Sequence, residues 1–233
     1  MTIRALHDEV TNVLDYLLES ELALFVNKIS MKQGRVSWHA YDSRVPFLQT
    51  NQHHTLAQFS QWVAAGHYSC ILFDGSLLQL TYDMIGSEVS GHRLAYIPCP
   101  MVVDLELLRD EPLADVMEMY SDDVSSFALR TPIRFDFDPS AAKQGHPAAH
   151  MTLNSIDCRI ACVAPMHVGR FVDFVFRNFY PDLRAAHAPF FVELERRHLG
   201  ERVIEDDERH VPYMAWNLGT NYFGGVAHTK SGS

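Results

Sequence analysis

The chain has 233 residues, of which 47% are hydrophobic and 21% charged, with a formal net charge of -10. That is room for one large domain or two small ones, with the composition of an ordinary soluble globular protein. The negative balance argues against a broad, non-specific nucleic-acid surface, which needs a positive footprint; a local basic groove or a basic partner stays open.

Residues 3–26 read as an amphipathic helix, with Leu6, Val10, Val13, Leu14, Leu17 and Leu18 on one stripe and Leu22 extending it. Asp8 and Glu9 suit the dipole at its start and fall where a signal peptide carries its apolar core. No apolar run nears the roughly 20 residues that span a bilayer. The expectation is a cytoplasmic chain with no membrane segment. After Gly34, Arg35 to Tyr41 alternates as a short strand, and Pro46 to His54 is a loop. Thr55 to Ala65 predicts a second helix that buries Leu56, Phe59, Trp62 and Val63 and stops at Gly66.

The period then changes to two. Tyr68 to Phe73, Leu77 to Ile85 and His92 to Ile97 form a three-stranded meander, turning at Asp74-Gly75 and within Gly86 to Gly91. Residues 101–130 are acidic and helical or irregular, broken at Pro112. Arg134 to Asp138 and His150 to Asn154 make an antiparallel hairpin with a long loop that holds Pro139, Gly145 and Pro147. Phe135, Phe137, Met151 and Leu153 point to one side; Arg134, Asp136, Asp138, His150, Thr152 and Asn154 point to the other. Ile156 to Val163 adds a strand. Val168 to Tyr180 is an aromatic helix fit for the core, and a last helix runs over 183–199. An acidic run at 205–208 precedes the aromatic segment 213–223, the best candidate for a protein contact, and residues 229–233 read as disordered.

The four cysteines are Cys70, Cys99, Cys158 and Cys162, with no C-x-x-C pair, so neither a zinc knuckle nor a redox motif is suggested. Cys158 and Cys162, on one strand face, would lie roughly 13 Å apart and neither bridge nor share a metal. All four read as buried small residues.

The order of elements predicts an α+β fold: a largely antiparallel sheet with helices packed on one face. One domain is the better count, with a helical N-terminal part (1–66), a sheet core (68–163) and C-terminal helices and tail (165–228). The sheet's other face would carry Gln79, Thr81, Asp83, Arg93 and Arg159 beside the polar set of the hairpin, as a solvated face or a groove.

Asp74 to Gln79, His92 to Pro100, Arg134 to Pro139, His146 to Asn154, Cys158 to Ile160 and Phe174 to Tyr180 before Pro181, in that order, resemble an uncharacterised bacterial family, a domain of unknown function. The resemblance covers roughly residues 35–210. It implies a bacterial or mobile-element protein and assigns no activity or cofactor. The central hairpin alone is also similar to motifs in small toxin–antitoxin proteins, which points towards operon partners, defence or nucleic acid.

Two readings of the hairpin stay open. In one, Asp136, Asp138 and His150 hold a divalent ion such as Mg²⁺, Mn²⁺ or Fe²⁺. The ion would activate water against a phosphodiester, with His146 as ligand or base and Arg134 steadying a phosphate. In the other, Arg134 and Arg159 pair with Asp136 and Asp138 across strands, His146 caps the loop and His150 bonds a backbone carbonyl. His53-His54 before the second helix and Cys99 between two prolines are weaker candidates for a metal site and a reactive thiol. Common hydrolase, P-loop, dinucleotide and H-E-x-x-H patterns are absent. The expected role is therefore a binding or accessory protein beside an operon-encoded or self-associating partner, in a defence or toxin–antitoxin setting. A metal-dependent nuclease is the alternative.

Overall fold

The computed structural model describes residues 1–38, 55–153 and 157–218. Thr2 starts the first helix, α1 (Ile3–Glu19): its hydroxyl accepts from Ala5 N, and Leu6, Val10, Val13, Leu14 and Leu17 are buried. The apolar pattern predicts this helix to residue 26, but it ends at Glu19. Ser20 caps it and Glu21, at φ 57°, turns the chain away. The apolar run that follows becomes β1 (Ala23–Val26), because a short apolar run fits a buried strand as well as a helix. β2 (Ile29–Lys32) and β3 (Arg35–Trp38) then form a hairpin around Gln33 and Gly34, whose φ values of 52° and 79° suit a tight turn. A Cβ on Gly34 would stand 2.9 Å from the Met84 carbonyl, so glycine is required there.

The sheet is built on β5 (Leu77–Ile85). Its first residues pair with β4 (Cys70–Leu72) and its last with β3, while its other edge pairs with β6 (Glu88–Ile97). Gly75, at φ 81°, closes the β4–β5 turn, and Asp74 Oδ1 accepts from Ser76 N. β7 (Ile133–Phe137), β8 (Ala149–Leu153) and β9 (Arg159–Ala161) continue the sheet. The nine strands of the described residues all pair antiparallel, in the order β1-β4-β5-β6-β7-β8-β9, with β3 alongside β5 and β2 outside β3. The fold is α+β, as the order of elements predicts. β1 and β2 are additions to that expectation.

Register fixes which side chains share a face. Tyr82, His92, Phe137 and Ala149 form one cross-strand row, and Leu80, Leu94, Phe135, Met151 and Ile160 form the next. The aromatic helix α5 (Val168–Phe179) packs on this side: Phe135 meets Phe171 and Phe174 edge-on at 5.9 and 5.1 Å. His167 caps α5 through Nδ1, which accepts from Gly169 N, and its Nε2 lies 3.0 Å from Glu9 of α1. The last predicted helix is two, α6 (Pro181–Ala186) and α7 (Ala188–Glu195), parted at His187. Buried Asp173 of α5 accepts from Arg177 and Arg184, and both arginines also reach Glu195, which locks the three helices together.

The described residues hold three further helices, α2 (Leu56–Ala64), α3 (Leu105–Asp110) and α4 (Leu113–Met119), the last two parted at Pro112 as predicted. α2 packs against α4, and Gln79, on the face away from α5, donates to the His67 carbonyl just beyond α2. One continuous cluster of buried apolar side chains runs from Leu6 to Leu199. Among the described residues no helix is long and apolar enough to cross a membrane.

Phe135 is 1% exposed and carries the contact between sheet and α5. Phe135→Ala should cost about 3–5 kcal/mol in denaturant unfolding. Leu129→Ala, at a fully exposed site, should stay within about 0.5 kcal/mol.

Candidate functional site

On the face away from α5 the register assembles a row of polar side chains. Thr81, Arg93, Asp136, His150 and Ala161 stand directly opposite one another across β5 to β9. The neighbouring row holds Ala95, Arg134, Thr152 and Arg159. β3 brings in Arg35 opposite Asp83, and the two make a bidentate pair at 2.6 and 3.0 Å. Over these rows lies an open cavity of about 490 Å³. Four arginines line it (Arg35, Arg93, Arg134 and Arg159), with Asp83, Asp136 and Asp138, and with His146 and His150. The polar face predicted from period-two alternation is therefore a groove.

Asp136 is at the centre of this arrangement and its side chain is 8% exposed. Its Oδ2 accepts from Arg134 Nε at 2.6 Å and lies 3.6 Å from His150 Nε2; its Oδ1 is 3.9 Å from Arg93 Nε. A carboxylate this buried needs such partners, because an unpaired one would pay the full cost of desolvation. Of the two expected ion pairs, Arg134 does bind Asp136, as a neighbour two residues along one strand. Arg159 makes no ion pair with a described residue, and Arg93 stands nearest Asp136's second oxygen.

Asp138 is engaged elsewhere. At the end of β7 it caps the 3₁₀ turn Pro139–Ala141, its Oδ1 accepting from Ser140 Oγ and from Ser140 and Ala141 N. These bonds, that from the Ser140 hydroxyl foremost, hold its carboxyl below the usual range. The metal set expected from the sequence, Asp136, Asp138 and His150, thus lines one cavity without gathering on one point. Among the described residues no group of three His, Cys, Asp or Glu is placed to hold a metal ion. The reason is local: Asp-Pro-Ser at the strand end makes a cap, which turns the second acid of Asp-x-Asp back onto its own backbone.

His150 is 3% exposed, and its Nδ1 donates to the Pro147 carbonyl at 2.8 Å, the backbone bond the sequence reading allowed. In the neutral ring that leaves Nε2 unprotonated, towards Asp136. Burial lowers its pKa, against the opposing pull of Asp136. His146 closes a tight turn, exchanging backbone hydrogen bonds with Lys143 across Gly145. Its ring meets that of His150 edge-on at 4.9 Å, and its Nδ1 has no hydrogen-bond partner.

Other candidates fall away from this cavity. Cys99 is buried, and burial pushes its thiol up to about 11, so it is no reactive thiol. Cys70 and Cys162 are buried as expected; Cys158 is exposed, because it precedes β9 instead of lying in it. Asp74, Tyr96 and Tyr180 join three of the quoted motifs in one network: Tyr180 donates to Asp74 Oδ2 at 2.9 Å, and the two phenols are 2.8 Å apart. That network is a staple between the sheet and the end of α5. Of the aromatic tail, Trp216 packs on the core with Arg170 over its ring, and Met214 bridges to Cys162. His53, His54, Asn154, Tyr222 and Phe223 lie outside the described residues.

The family described as Uncharacterized conserved protein (DUF2290) matches residues 19–216, most of the chain and all nine strands. This chain belongs to that family. No curated protein and no solved structure matches it. Every cavity-lining residue named above falls within the residues matched by DUF2290.

Sequence reasoning missed two members of this neighbourhood. Arg35 belongs to the site because β3 joins β5 beside Asp83, a long-range pairing that strand periodicity does not show. His92 lies beneath the cavity between the rings of Tyr82 and Phe137, its Nε2 accepting from Met166 N at 2.8 Å. Burial lowers its pKa from 6.5 to about 4, against the raising influence of Asp136. A histidine that is neutral when folded and protonated when unfolded costs stability as pH falls from 6.5 towards about 4. The loss should approach about 3 kcal/mol in denaturant unfolding across that window, with His150 adding in the same direction. The His92→Gln variant should show a visibly flatter profile over the same window.

Proposed function

We propose that this DUF2290 protein is a binding protein whose sheet-face cavity takes a ligand bearing phosphate groups. One observation carries the reading: Arg93 and Arg159 reach the cavity without a carboxylate at hydrogen-bond distance among the described residues. A guanidinium fork is matched in shape and charge to a phosphate. Arg35 and Arg134, held by Asp83 and Asp136, give that pair rigid neighbours. The lining carries four arginines against three aspartates, in a chain whose formal net charge is -10. The surrounding negative charge disfavours long polyanions lying across the surface, so binding concentrates in the groove.

An accessory role beside a protein partner goes with this reading. Its support is a strip of exposed apolar side chains between β6 and β7: Val102, Leu105, Val124, Phe127 and Leu129. The Met101–Phe127 bridge brings the two ends of that segment together. Exposed apolar residues gathered on one segment are a common mark of a contact surface. All four cysteines are free, which suits a reducing cytoplasm.

Calorimetric titration with inorganic pyrophosphate and with a short 2′-O-methyl oligoribonucleotide checks the reading. At least one should bind, and Arg159→Ala should weaken it by about 10-fold to 100-fold, the worth of one charge-assisted hydrogen bond. Binding of neither, or binding that Arg93→Ala and Arg159→Ala leave unchanged, contradicts it.

A further inference from the structure

Resting on the phosphate-binding reading, we propose that the ligand is single-stranded RNA and that His146 and His150 cleave its phosphodiester backbone by acid–base catalysis.

The argument starts from what the two imidazoles can do where they stand. Both line the cavity with Arg93 and Arg159, and their ring centroids are 4.9 Å apart. The Pro147 carbonyl, accepting from Nδ1, fixes the tautomer of His150, so Nε2 offers its lone pair as a base. A proton arriving on Nε2 meets Asp136 Oδ2 at 3.6 Å, which steadies the imidazolium formed. His146 lines the cavity from a loop held by its own backbone turn; its Nδ1 is buried without a partner, so its Nε2 is the nitrogen that faces a ligand. That ring is available as the second proton carrier.

The choice of RNA follows from the nucleophile. No hydroxyl or thiol of the described residues is hydrogen-bonded to either ring. An activated side-chain nucleophile would need such a contact. The carboxylates do not cluster either: Asp138 is spent on its cap and Asp136 on Arg134. Water and the substrate's own ribose 2′-hydroxyl remain, and the 2′-hydroxyl, a group DNA lacks, is already held beside the phosphorus and so has the advantage of proximity. His150 Nε2 takes the 2′-hydroxyl proton as O2′ bonds to phosphorus. The bond from phosphorus to O5′ breaks, and the protonated His146 ring gives its proton to O5′. The products are a 2′,3′-cyclic phosphate and a 5′-hydroxyl. The arginines hold the non-bridging oxygens, where charge develops in the transition state.

The test incubates the full-length protein with a short oligoribonucleotide in EDTA and follows cleavage and end groups. The expected result is EDTA-resistant cutting that leaves cyclic phosphate ends, with the DNA and 2′-O-methyl analogues uncut. His146→Ala, on a partly exposed turn that keeps the fold, should slow cutting about 100-fold or more, the usual worth of one general acid or base. The buried His150→Ala should do the same and is checked for folding by circular dichroism. Bound but uncut RNA, cutting of the DNA analogue, or cutting that survives His146→Ala overturns the catalytic inference and leaves phosphate binding standing. An RNA and a 2′-O-methyl analogue that both fail to bind overturn this inference, and the phosphate-binding reading falls with it only if inorganic pyrophosphate fails to bind too.

Discussion

The site depends on one constraint, the antiparallel register of β6, β7 and β8. With side chains alternating across a pleated sheet, the pairing of Leu94, Phe135 and Met151 beneath α5 forces Arg93, Asp136 and His150 into line on the opposite face. A slip of one residue would bury Asp136 against Phe171 and Phe174 and expose Phe135. Neither is tolerable, so the packing of α5 and the composition of the groove are set by the same hydrogen bonds. This is how a sheet with an ordinary aromatic core comes to hold arginine, aspartate and histidine at fixed separations.

Charge balance then decides what the groove can hold. Asp136 is buried and binds Arg134 firmly, with Arg93 and His150 close by. It acts as the internal counter-ion that lets several cations share a small space. Asp83 does the same for Arg35 at the other end. These pairs cost side-chain freedom before any ligand arrives, and the groove is to that extent preorganised for an anion. Arg93 and Arg159 are left with the most capacity to engage one.

Much of this was legible in the sequence. Alternation in Arg134 to Asp138 and His150 to Asn154 gave the hairpin and its two faces, because period two is a local property of the chain. Asp74-Gly75 and Pro112 marked their breaks for the same reason. What was not legible is long-range or conformational. β1 was hidden in an apolar run that fits helix or strand, and a positive φ at Glu21 separates it from α1. Arg35 enters the site only through the pairing of β3 with β5. The role of Asp138 turned on a cap: Asp-x-Asp reads as paired ligands, but Pro139 and Ser140 take the second acid into a 3₁₀ turn. All five expected site residues, Arg134, Asp136, Asp138, His146 and His150, line one cavity, though the three metal donors among them do not gather on one point.

The central claim is that the arginines of the sheet face engage a phosphate. A crystal structure grown with a short 2′-O-methyl oligoribonucleotide tests it most directly. The account predicts a phosphate within hydrogen-bond distance of the Arg93 and Arg159 guanidinium groups, beside the rings of His146 and His150. An oligonucleotide bound on another surface, with those arginines turned onto protein carboxylates, would contradict it.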